Sequence, residues 1–303
     1  MPPAIHAIDL VHMNVPGAIA AWAVEGPDGW VVIESGPASC WNTLRTGLES
    51  LGATIDNIAA LLVTHIHLDH AGGAWNFVDR GIPVHVHEAG AAHLIDPSRL
   101  EKSSRRIFGE RFETLWGALK PCDASRVHAY RNGDIVSAAG LQFAAIETLG
   151  HANHHHAWHL LDHDSGDLFS GDAAAMLVPG TEWITIPMPP PEFDLDVWMA
   201  AIDRIETGPW TRLRLTHGGT VADISGHLKQ LRTSMRDQVL WIAATAEMPP
   251  EKREQEYRKM LWKQASGAHV PESLFRDHVS PGLIKMNLGG IDLWTTSRAA
   301  QQP

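Results

Sequence analysis

The chain has 303 residues, 44% of them hydrophobic, and carries 24 Lys and Arg against 35 Asp and Glu, a net charge of -11. This acidic balance argues against a general nucleic-acid surface, and no apolar run nears the roughly 18 residues that a membrane-spanning helix needs. Two cysteines, Cys40 and Cys122, are too few for a disulfide framework, and the first residues show no secretory leader, so a reduced, cytoplasmic protein is expected.

In chain order, the apolar runs 18–24 and 30–33 flank Glu25-Gly26-Pro27-Asp28-Gly29, which predicts a β-hairpin. Residues 40–51 place Leu44, Leu48 and Leu51 on one face of a helix. The apolar run 58–63 reads as a buried strand, and it delivers Thr64-His65-Ile66-His67-Leu68-Asp69-His70. Three imidazoles and a carboxylate at the end of a buried strand each need a polar partner there, and a divalent cation serves them all. Asp69 alone also suits the N-cap of a helix opening at Ala71-Gly72-Gly73-Ala74, but within the motif the ligand role is preferred.

Residues 83–87 form a short strand with His85 and His87 on one face and no carboxylate at ligand spacing, so structural roles are expected for both. Residues 88–120 read as a helical insertion, broken at Asp96-Pro97 and placed over the site. Short strands follow at 135–136, 141–146, 157–161 and 168–170, joined by turns at Asn132-Gly133, Ala139-Gly140 and Asp164-Ser165-Gly166. Two layers of sheet covered by helices fit this order. The same half supplies three more candidate ligands: His151 after Thr148-Leu149-Gly150, Asp172 after Phe169-Ser170-Gly171, and His217 before Gly218-Gly219. Four ligands in the first motif and three here suit two metals. Of His154, His155 and His156, which directly precede a strand, at most one or two face the site, because side chains alternate there.

Pro187-Met188-Pro189-Pro190-Pro191 is a loop between the Asp172 and His217 motifs, positioned to wall a substrate pocket. Beyond His217, Ile224, Leu228, Leu231, Met235, Val239 and Ile242 recur at spacings of three and four. The chain is therefore divided into a catalytic domain, residues 1–220, and a helical C-terminal extension, residues 221–303, packed on it. Tyr257 is a candidate to reach the site from that extension.

The string His65-x-His67-x-Asp69-His70, followed by His151, Asp172 and His217, resembles the metallo-β-lactamase superfamily over most of residues 15–220. The resemblance implies an α/β fold, a four-layered αββα sandwich. It also implies that His65, His67 and His151 hold one metal, that Asp69, His70 and His217 hold a second, and that Asp172 bridges them. Zn²⁺ is the expected cofactor at both positions, with Mn²⁺ or Fe²⁺ as alternatives. Glu34-Ser35-Gly36 stands where relatives commonly show Asp-Thr-Gly. Relatives often read Gly-His-x-Pro-Gly-His around His151, which aligns His155 with a histidine that packs near the site without binding metal. His155 and Trp183 are the candidates for substrate contact, with Trp75 as another pocket-lining residue.

One fold serves many reactions, so the substrate does not follow from the resemblance. The expected function is a dinuclear metal-dependent hydrolase of the glyoxalase II or lactonase-like branch. In it a metal-bridging hydroxide cleaves an ester, thioester or lactone of a small organic substrate, and Asp69 shuttles a proton. Ala173-Ala174-Ala175 follows Asp172 where acyl-homoserine lactonases often place a Tyr, and no basic glutathione-holding motif is visible. The alternatives are a phosphodiesterase with the same site and an iron-dependent oxidoreductase resembling persulfide dioxygenases. A small-molecule substrate is expected as partner, with neither nucleic acid nor membrane, and the apolar positions of the C-terminal helices leave a homodimer open.

Overall fold

A computed structural model describes residues 3–162 and 166–300. The first sheet has six strands in the order β1 (Ile5–Asp9), β2 (Ala20–Gly26), β3 (Gly29–Ile33), β4 (Ile58–Leu62), β5 (Val84–His87) and β6 (Val127–Tyr130). The expected hairpin is β2–β3, closed by Pro27-Asp28, while β3 to β6 run parallel. The second sheet is built from β7 (Ile135–Ala138), β8 (Leu141–Glu147), β9 (His156–Leu160), β10 (Asp167–Phe169), β13 (Arg212–Arg214) and β14 (Thr220–Val221), ordered β14-β13-β10-β9-β8-β7. A small ribbon, β11 (Met176–Leu177) with β12 (Ile184–Thr185), lies outside both. The expected turn at Asp164-Ser165-Gly166 falls, apart from Gly166, outside the described residues.

Strand alternation decides which side chains meet. Val31 and Ile33 of β3 point inward with Trp22, Val24, Ala60 and Leu62, against Phe143, Ala145, Trp158, Leu160 and Phe169 of the second sheet. Trp30 and Val32 point the other way, into a layer made by α1 (Trp41–Ser50), α2 (Leu68–Ala71), α3 (Ala74–Val78) and α4 (Glu88–Ile95) through Leu44, Leu48, Ala71, Phe77 and Leu94. The outer face of the second sheet, with Ala157, Leu168 and Leu213, is covered by α7 (Leu195–Thr207) and by α8 (Ile224–Ala244), α9 (Pro250–Gly267), α10 (Glu272–His278) and α11 (Pro281–Ala299). The four layers are helix, sheet, sheet, helix, the αββα sandwich with a helical C-terminal extension.

The helical insertion forms α4, α5 (Ser98–Phe108) and α6 (Phe112–Trp116), broken at Asp96-Pro97 as expected, but 117–120 is not helical. Its end docks on the segments after β1 and β3, where the Leu115 carbonyl accepts from His12 and Ser39. The sequence did not show β1, β6, helix α7 or the two- and three-residue strands β11 to β14, these last being too short to carry an alternation. The edge strands β1 and β6 bury few side chains, so their alternation is faint. Helix α7 does carry a signal, since Asp194 caps the backbone N–H groups of Asp196 and Val197, and Trp198, Ala201, Ile202 and Ile205 are buried at helical spacing. Among the described residues no helix is long and apolar enough to cross a membrane.

Candidate metal centre

Segments at one rim of the sandwich carry the site: 34–36 after β3, 63–67 after β4 leading into α2 with Asp69 and His70, 148–155 after β8, 170–175 after β10 and 215–219 after β13. Rigid strands set their bases, and the loops turn polar side chains toward one another. His65 Nε2 and His151 Nε2 lie 2.8 and 2.9 Å from the same atom, His67 Nδ1. Beside this trio, His70 Nε2 and His217 Nε2 are 3.3 Å apart, with Asp69 Oδ2 at 3.9 Å and 3.6 Å from them. Asp172 stands between the trios. Its Oδ1 is 3.2 Å from His70 Nε2 and 3.4 Å from His217 Nε2, and its Oδ2 is 3.3 Å from His151 Nε2. All seven residues singled out in the sequence are thus brought together.

The far side of each ring shows which nitrogen faces inward. His151 Nδ1 donates to the Pro187 carbonyl at 2.9 Å, and His217 Nδ1 donates to the Ala18 carbonyl at 2.5 Å. His70 Nδ1 donates to Glu34 Oε1 at 3.1 Å. Thr64 Oγ1 gives its only hydrogen to Glu34 Oε1 at 2.5 Å, so it accepts from His65 Nδ1 at 3.1 Å. With Nδ1 held by an oxygen in all four, Nε2 is the nitrogen that faces the centre. Asp172 Oδ1 is buried there without a hydrogen-bond partner. Imidazole nitrogens and carboxylate oxygens gathered away from water need a shared positive charge, and nitrogen with carboxylate oxygen is a donor set suited to Zn²⁺, Mn²⁺ or Fe²⁺.

The electrostatics separate the two trios. Burial, reinforced by neighbouring imidazoles, pushes His65 and His67 well below the ordinary histidine range. Burial acts the same way on His70 and His217, but the surrounding carboxylates, Asp172 first, outweigh it and raise both. Burial would raise Asp172, yet His70, His151 and His217 hold it well below the usual carboxylate range. Asp69 is likewise lowered, burial being outweighed by His70 and His217.

Glu34, standing at the departure from Asp-Thr-Gly, is 1% exposed and adopts a left-handed φ of 67°. Its carboxylate accepts from Thr64, Thr216 and His70, so the longer acid still reaches a ligand ring. Glu192 was not read from the sequence. It follows the proline run and meets His154 Nε2 at 3.1 Å, and with His67 the pair forms a further group close enough to share a cation. A single glutamate in a loop has no spacing signature, so only the fold reveals this contact.

The structure places other expected residues elsewhere. His155 is fully buried, with Nδ1 on Thr148 Oγ1 and Nε2 accepting from the Asp172 N–H, so it braces the Asp172 loop from behind and does not open to substrate. Trp183 is a core residue packed on Phe275, and Trp75 is tied to the Ala118 carbonyl under Lys120. Tyr257 stays inside the C-terminal helices, bonded to Gln238 and Asn287. His85 meets Tyr130, His87 caps the Ala89 N–H, and His156 meets the Val63 carbonyl, all structural contacts.

The profile of the metallo-β-lactamase superfamily matches residues 14–217, which hold every one of these seven side chains. The chain belongs to this superfamily. A curated relative, the metallo-beta-lactamase fold-containing protein ST1585 of Sulfurisphaera tokodaii, is 27% identical over 192 residues, 61% of this chain and 70% of that protein. Among solved structures, the metallo-beta-lactamase family protein TTHA1429 from Thermus thermophilus superposes with a TM-score of 0.69 at 18% identity, covering 98% of this chain and 94% of that one. ST1585 from Sulfolobus tokodaii superposes with a TM-score of 0.66 at 18% identity, covering 95% and 98%. Such identities establish the fold. The superfamily assignment and the candidate His/Asp site together support metal-dependent hydrolysis in general.

Proposed function

We propose that the protein is a dinuclear metal-dependent hydrolase that cleaves an ester, thioester or lactone of a small organic molecule. His65, His67 and His151 would hold one divalent cation, Asp69, His70 and His217 the other, and Asp172 both. The observation that carries this reading is the convergence of five ring nitrogens in two groups beside the two oxygens of Asp172. When bound, such a cation pair supplies an activated water and polarises the carbonyl under attack. The chain's own contribution is orientation and proton transfer. Glu34, Thr64, Ala18 and Pro187 fix the ring planes before any substrate arrives, which keeps reorganisation out of the reaction. Asp69 is 27% exposed at its side chain while His65 and His70 are sealed. It is therefore placed to accept a proton and return it to the departing oxygen or sulfur. A net charge of -11 disfavours a long polyanionic substrate.

Metal content per purified chain, measured by mass spectrometry beside a His65→Ala, Asp172→Ala double variant, tests the reading. About two divalent ions per chain, lost in the variant, are expected, together with turnover of p-nitrophenyl or thioester substrates. Turnover confined to bis-p-nitrophenyl phosphate would instead establish a phosphodiesterase, and a single iron would move the assignment to oxidoreductase chemistry.

A further inference from the structure

The C-terminal extension buries a polar chain that the proposed mechanism does not use. Gln238 on α8, Tyr257 on α9 and Asn287 on α11 are each at most 3% exposed. Tyr257 donates to Gln238 Oε1 at 2.5 Å and accepts from Asn287 Nδ2 at 3.2 Å. Asn287 then leaves the helices. Its Nδ2 donates to the Ile186 carbonyl at 2.8 Å, and its Oδ1 accepts from the Met188 N–H at 2.9 Å. Sealing such groups away from water is costly unless all are bonded, and here Asn287 is bonded on both sides of Pro187.

The Met188 N–H and the Pro187 carbonyl belong to one peptide unit, which is planar, so fixing the direction of the N–H fixes that of the carbonyl. That carbonyl is the acceptor for His151 Nδ1 at 2.9 Å. Gly290 on α11 presses on the same segment, since a Cβ there would come within 2.0 Å of the Met188 oxygen. We propose that Asn287 is a positioning residue of the metal centre, holding His151 through the Pro187–Met188 peptide so that its Nδ1 stays protonated and its Nε2 faces the cation. The helical extension is thereby a working part of the site. The proposal rests on the reading of His65, His67 and His151 as ligands of one cation.

Zn²⁺ affinity by chelator competition, in the wild-type protein and in Asn287→Leu, is the test, with Arg253→Met for comparison. Arg253 clasps Asp292 and the Ile242 carbonyl in the same extension and has no bond to the 186–188 segment. Asn287→Leu is expected to weaken one of the two cations about ten- to a hundredfold. The other cation, and both cations in Arg253→Met, should bind as in wild type. Nitrogen-15 NMR of the metal-free wild type adds a readout that requires neither a variant nor a metal: His151 should hold its proton on Nδ1, and the Met188 amide should exchange slowly. A folded Asn287→Leu protein that binds both cations at wild-type affinity, or a wild-type His151 protonated mainly on Nε2, overturns the proposal. If the wild type binds no cation while His151 and Met188 behave as stated, it is the metal reading that falls and the positioning that survives.

Discussion

At the centre, four imidazoles each have one nitrogen anchored to an oxygen and the other turned inward, and that division makes a cluster of buried histidines a candidate cation site. Histidines elsewhere in the chain show the contrast. His85 stacks on His128 and meets Tyr130, and burial first, with His128 adding, lowers it to about 4. His156, between Trp158 and His87, is lowered to about 3, mainly by burial. The unfolded imidazoles take up protons near pH 6.5, while the folded ones resist until about 4 and about 3. Between those limits the unfolded state binds more protons, so stability is full above pH 6.5 and falls as the pH drops. Urea unfolding of metal-free protein at a series of pH values should show this slope. His85→Gln should reduce it by up to one proton, about 1.4 kcal/mol per pH unit, and an unchanged slope would show that His85 is not a suppressed titrating group. The seven candidate ligands were legible because strand ends and short spacings advertise them. The pairing of His154 with Glu192 was not, because it depends on two loops meeting across 38 positions of sequence.

The elements act as brackets for the ligand loops. Gly150 precedes His151 with φ at 114°, and a Cβ there would lie 2.3 Å from the backbone nitrogen of Trp198 on α7. Trp198 in turn donates from Nε1 to the Ala173 carbonyl, so one helix steadies both the His151 and the Asp172 loops. Gly150→Ala should therefore cost about 3 kcal/mol or more, from left-handed backbone strain together with overlap against a packed helix. Urea unfolding and metal content would measure it, and a variant as stable and as metal-loaded as wild type would disprove the bracket. The glycine before the histidine is plain in the sequence, whereas the helix that demands it comes from a distant segment. The Asp194 cap and the Trp198-Ala201-Ile202-Ile205 stripe made α7 readable in principle, whereas β1 and β6 are edge strands with too few buried side chains to alternate visibly.

Across the molecule, the outer face of the second sheet and the C-terminal helices share one apolar core. Leu168, Trp198 and Leu213 pack in the same cluster as Leu228, Met235, Tyr257, Phe275 and Ile291. A chain cut after residue 220 would expose that face to water, so it should fail to give near-ultraviolet dichroism or a cooperative melt, and the full chain should unfold in one calorimetric transition. A soluble, cooperatively folding 1–220 fragment would instead make the extension an independent unit. By itself the sequence determined the strand–helix alternation, the hairpin and the seven candidate ligands, because burial periodicity and ligand spacing are local and survive in one dimension. Only the tertiary structure decided that His155 braces a loop, that Trp183 is core, that Glu34 reaches His70, and that Asn287 meets the Pro187–Met188 peptide that holds His151. Those contacts join residues far apart in the chain, and their geometry exists only once the two sheets and the helices over them have closed on one another.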